Sequence, residues 1–185
     1  MIIKDVEFKL NDGRSAVIRS PKEKDIPGLI DYLRISASET PFIVRYPEEC
    51  DKFTEEFELK FIKDMNESEN EAMLICVVEG EVAGSCSISW SNKIKLKHRA
   101  SIGIALISKY WNQGIGTKLF QEMIRIAEEN KDIIQIELDF VEGNSRARAL
   151  YEKMGFRIVG VKPNGIRLKD GTLLNEYSMI RKINR

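Results

Sequence analysis

One stretch constrains this chain more than any other: an apolar run that passes through two glycines directly into a helix. Ile104-Ala105-Leu106-Ile107 reads as the end of a strand, Gly114-Ile115-Gly116 as a short turn, and Leu119, Phe120, Met123, Ile124 and Ala127 as the apolar stripe of a long helix. Backbone N–H groups at a helix start have no intrahelical partner, and the helix dipole favours negative charge there. Glycine at 114 and 116 removes Cβ atoms that would hold a phosphate away. The stretch is therefore an anion cradle suited to phosphate or pyrophosphate. Taken alone, the glycine pair fits an ordinary loop entering a helix equally well. The cradle also lacks the Gly-Lys-Ser/Thr ending of a P-loop and the third glycine of a dinucleotide fingerprint.

The rest of the chain alternates strands and helices. Val6 to Leu10 and Ala16 to Ser20 flank Asn11-Asp12-Gly13, a hairpin signal. Ser20 with Glu23 three residues later reads as a helix cap, predicting a first helix over about 22 to 37. Phe53, Phe57, Phe61 and Met65 mark a second amphipathic helix, after a loop holding Pro41 and Pro47. Ala72 to Val78, Val82 to Trp90, Arg99 to Leu106 and Ile133 to Phe140 read as core strands. Ala147, Leu150, Tyr151 and Met154 share one face of a short helix that Gly155 ends, and two strands near 156–168 and 173–183 complete the order. This predicts one α+β domain over 1–185.

Composition excludes several functions. The 29 Lys and Arg balance 29 Asp and Glu, so no overall field draws nucleic acid; the cluster Lys93, Lys95, Lys97, His98, Arg99 reads first as a solvated loop. No run approaches the length of a membrane span, and no signal peptide is visible, so a cytoplasmic location is expected. His98 is the single histidine, which removes schemes built on several. Cys76 and Cys86 lie in apolar runs and read as small hydrophobes.

A second block sits about thirty residues beyond the glycines: Asn144-Ser145-Arg146-Ala147-Arg148-Ala149-Leu150-Tyr151-Glu152-Lys153-Met154-Gly155-Phe156. Each residue alone has a bland reading, with Asn144 as a helix cap, Tyr151 as a buried aromatic and Gly155 as a helix stop. Together with the cradle, the block resembles the Asn-x-x-Ala-x-x-Leu-Tyr-x-x-x-Gly-Phe signature of the GNAT superfamily of N-acetyltransferases. Trp111-Asn112-Gln113-Gly114-Ile115-Gly116 is similar to that family's Arg/Gln-x-x-Gly-x-Gly/Ala loop, with Trp111 where Arg or Gln is usual. The resemblance covers roughly residues 72 to 182.

The resemblance implies a GNAT fold: a mixed, mostly antiparallel sheet of about seven strands, splayed between strands four and five, with helices on both faces. It implies a cofactor core over about 72–160 and a variable substrate side over about 22–70. Acetyl-CoA is the implied cosubstrate, with no metal. The implied CoA contacts are Ile104, Leu106 and Ile107 on the parted strand, Gln113, Gly114, Ile115, Gly116 and Thr117 in the cradle, and Asn144, Ala147 and Tyr151 beyond it. Tyr151 is the implied general acid for the leaving thiolate, and a backbone N–H near Leu106 the implied oxyanion donor. The acceptor is then a primary amine of a small molecule or peptide, with no nucleic acid or membrane partner, and the resemblance admits a homodimer.

The base is less defined. Ser101 stands where many members carry Glu on the fourth strand. Gln135, Glu137 and Asp139 make one face of the next strand polar, which marks Glu137 as base or amine binder. Glu39 and Glu176 are further acidic candidates for the substrate. A catalytically inactive CoA-binding sensor or interaction module is the competing reading, motivated by the missing strand-four glutamate. A nucleotide-phosphate binder using the same cradle is a third.

Overall fold

The chain opens with the hairpin of β1 (Val6–Lys9) and β2 (Ser15–Arg19), turned at Gly13, whose φ of 90° suits glycine. Then come α1 (Ile26–Ser38), α2 (Glu55–Glu67), β3 (Glu71–Val78), β4 (Glu81–Trp90) and β5 (Arg99–Leu106). After these follow α3 (Ile115–Glu129), β6 (Gln135–Val141), α4 (Ser145–Lys153), β7 (Arg157–Arg167) and β8 (Leu173–Lys182). This is a computed structural model that describes residues 1–183; residues 184 and 185, the end of the expected domain, lie outside them.

The strands form one sheet in the order β1-β2-β3-β4-β5-β6-β8-β7. Every pairing is antiparallel except β5 with β6. Eight strands stand where about seven were expected, because the N-terminal hairpin contributes two; the implied strands four and five are β5 and β6. Helices cover both faces. Tyr32 of α1 donates to the Ala105 carbonyl and meets Ser85 Oγ, both at 3.0 Å, on one face. Gly116 of α3 lies against Leu106 on the other. The core between them is closed by fully buried Leu74, Ile75, Ile88, Leu119, Phe120 and Met123.

Two local expectations change. Ser20 does not cap α1: its Oγ accepts from Ile3 N–H at 2.9 Å, tying the N-terminal segment to β2. Lys22 opens a 3₁₀ turn instead, its N–H bonded to Asp25 Oδ2 at 2.7 Å, and α1 begins only at Ile26 with Pro27 next. In α2 the buried positions are Glu58, Ile62 and Met65, while Phe57 and Phe61 stay 48% and 39% exposed. The buried stripe is thus rotated from the aromatic row, and Thr54 caps the helix, its side chain accepting from Phe57 N–H.

Candidate active site

The parallel pairing of β5 with β6 lasts three residues: Arg99↔Gln135, Ala100↔Ile136 and Ser101↔Glu137. Beyond that register the strands diverge, although β5 stays paired with β4 as far as Leu106. Ile107 N–H donates to Ala83 on β4 at 3.1 Å. The alternation of an extended strand therefore turns the backbone groups of Ile104 and Leu106 the other way, into the gap. Trp111 Nε1 claims one of them, the Leu106 carbonyl, at 3.0 Å. The wedge so opened is a cavity of about 500 Å³, floored by Ile102 to Leu106 and walled by Phe140, Ala147, Leu150 and Tyr151. Ile107 stands outside that lining, its N–H and C=O used by Ala83 and Tyr110.

Trp111 leads from the cavity to the glycine turn. The first hydrogen bond into α3 is donated by Lys118 to Gly114, at 3.1 Å. The N–H groups of residues 113 to 117 have no acceptor among the described residues. They crowd the positive end of a fifteen-residue helix. The turn is braced from behind: Asn11 donates to the Asn112 carbonyl at 2.7 Å, and Gln113 Oε1 accepts from Asp12 N–H at 3.1 Å. The two glycines do different work. Gly114 has φ 85°, a left-handed conformation that side chains resist. Gly116 faces the protein, not an anion: a Cβ there would lie 2.9 Å from Leu150 Cδ2 and 3.3 Å from Leu106 Cδ1.

Two cations flank the turn that the sequence reading passed over. The Arg146 guanidinium lies 4.5 Å from the centre of the Trp111 ring and donates to Asn112 Oδ1 at 2.7 Å. Lys153 Nζ reaches Thr117 Oγ1 at 3.4 Å. They are seven residues apart on α4 and so share a helix face, and that spacing was the available signal. Unpaired N–H groups, a helix N-terminus and two cations fit a diphosphate, and the wedge beside them fits an extended chain with unsatisfied amides.

Tyr151 lies where the wedge meets the core. Its ring packs on Phe120 and Phe140, with centroids at 5.4 and 6.1 Å, while its hydroxyl has no hydrogen-bond partner among the described residues. Burial, with a small contribution from Cys86, pushes its ionisation well above the ordinary tyrosine value. It remains a protonated donor across the physiological range. Asn144 does act as a cap, Oδ1 accepting from Ala147 N–H at 3.2 Å, and it also lines the wedge.

The acidic candidates separate. Glu39 lines the wedge, but its carboxylate is held by Ser108, through the backbone N–H and Oγ, both at 2.6 Å. Glu137 sits at the apex, the last paired position, on the α1 side of the sheet with Ser101. Gln135 donates to it at 2.7 Å and Arg99 approaches at 3.5 Å. Asp139, one pleat further on the same face, lines the wedge and accepts from Ser178 Oγ at 2.6 Å. Glu176 stands outside the cavity lining, on β8 opposite the lining residue Val141, with Lys162 Nζ 3.4 Å from its carboxylate. Cys76 and Cys86 are buried, and burial pushes the Cys76 thiol up to about 12, so neither is a ready nucleophile.

The Acetyltransferase (GNAT) family pattern matches residues 38–156. The L-amino acid N-acetyltransferase of Escherichia coli K12 is 30% identical over 108 residues, 58% of this chain and 66% of that protein. An N-alpha-acetyltransferase of Sulfurisphaera tokodaii is 33% identical over 109 residues, 55% of this chain and 65% of its own. The match thus spans slightly under two thirds of each relative. Among solved structures, a GNAT-family acetyltransferase from Streptococcus pneumoniae superposes with a TM-score of 0.76 at 26% identity, covering 91% of this chain and 99% of that one. No helix among the described residues is long and apolar enough to cross a membrane.

Proposed function

Because this chain belongs to the GNAT acetyltransferase family, we propose that it transfers the acetyl group of acetyl-CoA directly to a primary amine. The observation that carries this is the parting of β5 and β6 after Ser101↔Glu137, with the free Tyr151 hydroxyl in the opening and the unpartnered N–H groups of residues 113 to 117 beside it.

In this reading the amides of residues 113 to 117 hold the diphosphate, helped by Arg146 and Lys153. The inward-turned backbone of Ile104 and Leu106 pairs with the amide-bearing arm as an added strand would. The Leu106 N–H donates to the thioester oxygen as it takes up negative charge. Tyr151 protonates the departing thiolate; a thiol of ordinary pKa near 8.5 leaves more easily once protonated. The amine must first lose a proton, since an ammonium has no lone pair to attack with. Glu137 at the apex and Asp139 beside the wedge form the polar row that receives it, through water. Two matched relatives, by their names, act on amino acids and on α-amines, which supports an α-amine as the acceptor class.

The test is release of free CoA, followed with a thiol reagent, over a panel of amino acids, polyamines, aminoglycosides and N-terminal peptides. Amine-dependent release is expected. Tight acetyl-CoA binding with no release above background for any amine would make the chain a CoA sensor instead.

A further inference from the structure

We propose that the acceptor is a free amino acid, or a small amine of the same kind, whose carboxylate is held by Arg45. This rests on the acyl-transfer reading above. A second cavity of about 280 Å³ opens on the α1 side of the sheet and shares Phe42, Ile43 and Gly103 to Ala105 with the wedge. An amine placed there reaches the parted strand from the face opposite α3. Its walls are otherwise Tyr32, Leu33, Ser85, Ser87 and Arg45. Among the described residues that line it, Arg45 is the one charged group, and there is no carboxylate.

Arg45 is held in place and left partly unpaired. Its Nη2 donates to Ser36 Oγ at 3.3 Å, and its guanidinium lies 5.9 Å from the centre of the Phe53 ring. Its Nε is buried with no acceptor. Buried Glu58 on α2 feels the arginine's charge but makes no ion pair with it within 4.0 Å. A positioned guanidinium with donors to spare is the group that recognises a carboxylate.

Of the acids in the loop before α2, none lines this second cavity. Glu39 holds Ser108, Glu48 pairs with Lys169, Glu49 accepts from Tyr46 N–H, and Asp51 pairs with Arg34. A polyamine entering this cavity would meet a cation and no counter-charge. An amino acid presents one amine for acylation and one carboxylate for Arg45, and an apolar side chain suits Leu33, Phe42 and Ile43.

The experiment compares L-leucine with L-leucinamide on the full chain, with spermidine and a leucine-initiated tripeptide as further acceptors, by CoA release. Losing the carboxylate makes the amine less basic, so chemistry alone favours the amide, and a preference for leucine must come from binding. Leucine is expected to exceed leucinamide in kcat/KM by about 10- to 100-fold, the worth of one charge-assisted hydrogen-bonded pair. Arg45→Gln should remove that advantage while leucinamide is still turned over with a similar KM for acetyl-CoA, and a retained cooperative melting transition shows that the variant folds. Equal use of leucine and leucinamide, or preference for spermidine or the tripeptide, would overturn the assignment while leaving acyl transfer standing. No release with any amine would instead bring down the acyl-transfer reading, and this inference with it.

Discussion

Replacing Gly116 by alanine tests how the wedge is built. The added Cβ would sit 2.9 Å from Leu150 Cδ2 and 3.3 Å from Leu106 Cδ1, both side chains that wall or floor the cavity. The first distance forces a shift and the second a smaller adjustment. Leu150 ends in a flexible side chain, so it can yield, and the space it can yield into is the cavity itself. Overpacking of this kind costs about 1–3 kcal/mol. Alanine returns at most about 1 kcal/mol of helix propensity, less so near close to the first turn. The net is a loss of roughly 1–2 kcal/mol, which lowers the melting temperature of a chain this size by roughly 3–6 °C. The same displacement narrows the wedge, so the KM for acetyl-CoA should rise several-fold. Differential scanning calorimetry and initial rates at varied acetyl-CoA measure the two effects. A melting temperature within about 1 °C of the parent, with an unchanged KM, would refute the packing role given to this glycine.

Tyr151→Phe should lower kcat by about 100-fold or more with little change in the KM for acetyl-CoA. In the parent no alkaline limb from Tyr151 should appear below pH 10 in the pH–rate profile, because its ionisation is raised above the ordinary tyrosine value of 10.0. Arg146→Ala should raise the KM for acetyl-CoA about 3- to 10-fold, and its deficit should shrink as salt rises, since the lost contribution is electrostatic. Asp25→Asn should destabilise the fold by about 3–5 kcal/mol in urea titration, because it strands the buried Arg19 partner held at 2.6 and 2.8 Å. Burial acts to raise the Asp25 ionisation, but hydrogen bonds from Arg19 and Lys22 together hold it below the usual 3.8. The stability that Asp25 supplies is therefore present above about pH 4 and lost as pH falls through the lowered value, a loss the variant should not show.

Much of the fold was legible because its signals are local. Asn11-Asp12-Gly13 demands a turn, the stripe from Leu119 to Ala127 demands a buried helix face, and Asn144 with Gly155 brackets α4. The glycine turn and Tyr151 could be read together because their spacing carries a family pattern. What stayed hidden depends on contacts between distant segments. Ser20 looked like a cap but is claimed by Ile3, seventeen residues earlier, and the capping passed to Lys22 and Asp25. Glu58 gave no sign of burial, because acids normally sit outward at a helix start, as Glu55 and Glu56 do. Gly116 and Gly114 look alike in sequence, yet only the packing of α4 separates a close-approach glycine from a left-handed one. Arg45 stands in the loop between α1 and α2 with no local signal of burial, and its unpaired Nε appears only once α1, Phe53 and β5 surround it.

In the proposed mechanism the main-chain amides at the start of α3 hold the diphosphate of acetyl-CoA. Titration of the ¹⁵N-labelled chain with coenzyme A, followed by backbone amide resonances, tests it without relying on turnover. Large saturating shifts are expected at residues 113 to 117, with smaller ones at Ile104 and Leu106. Saturable binding that leaves the 113–117 amides unmoved would contradict it.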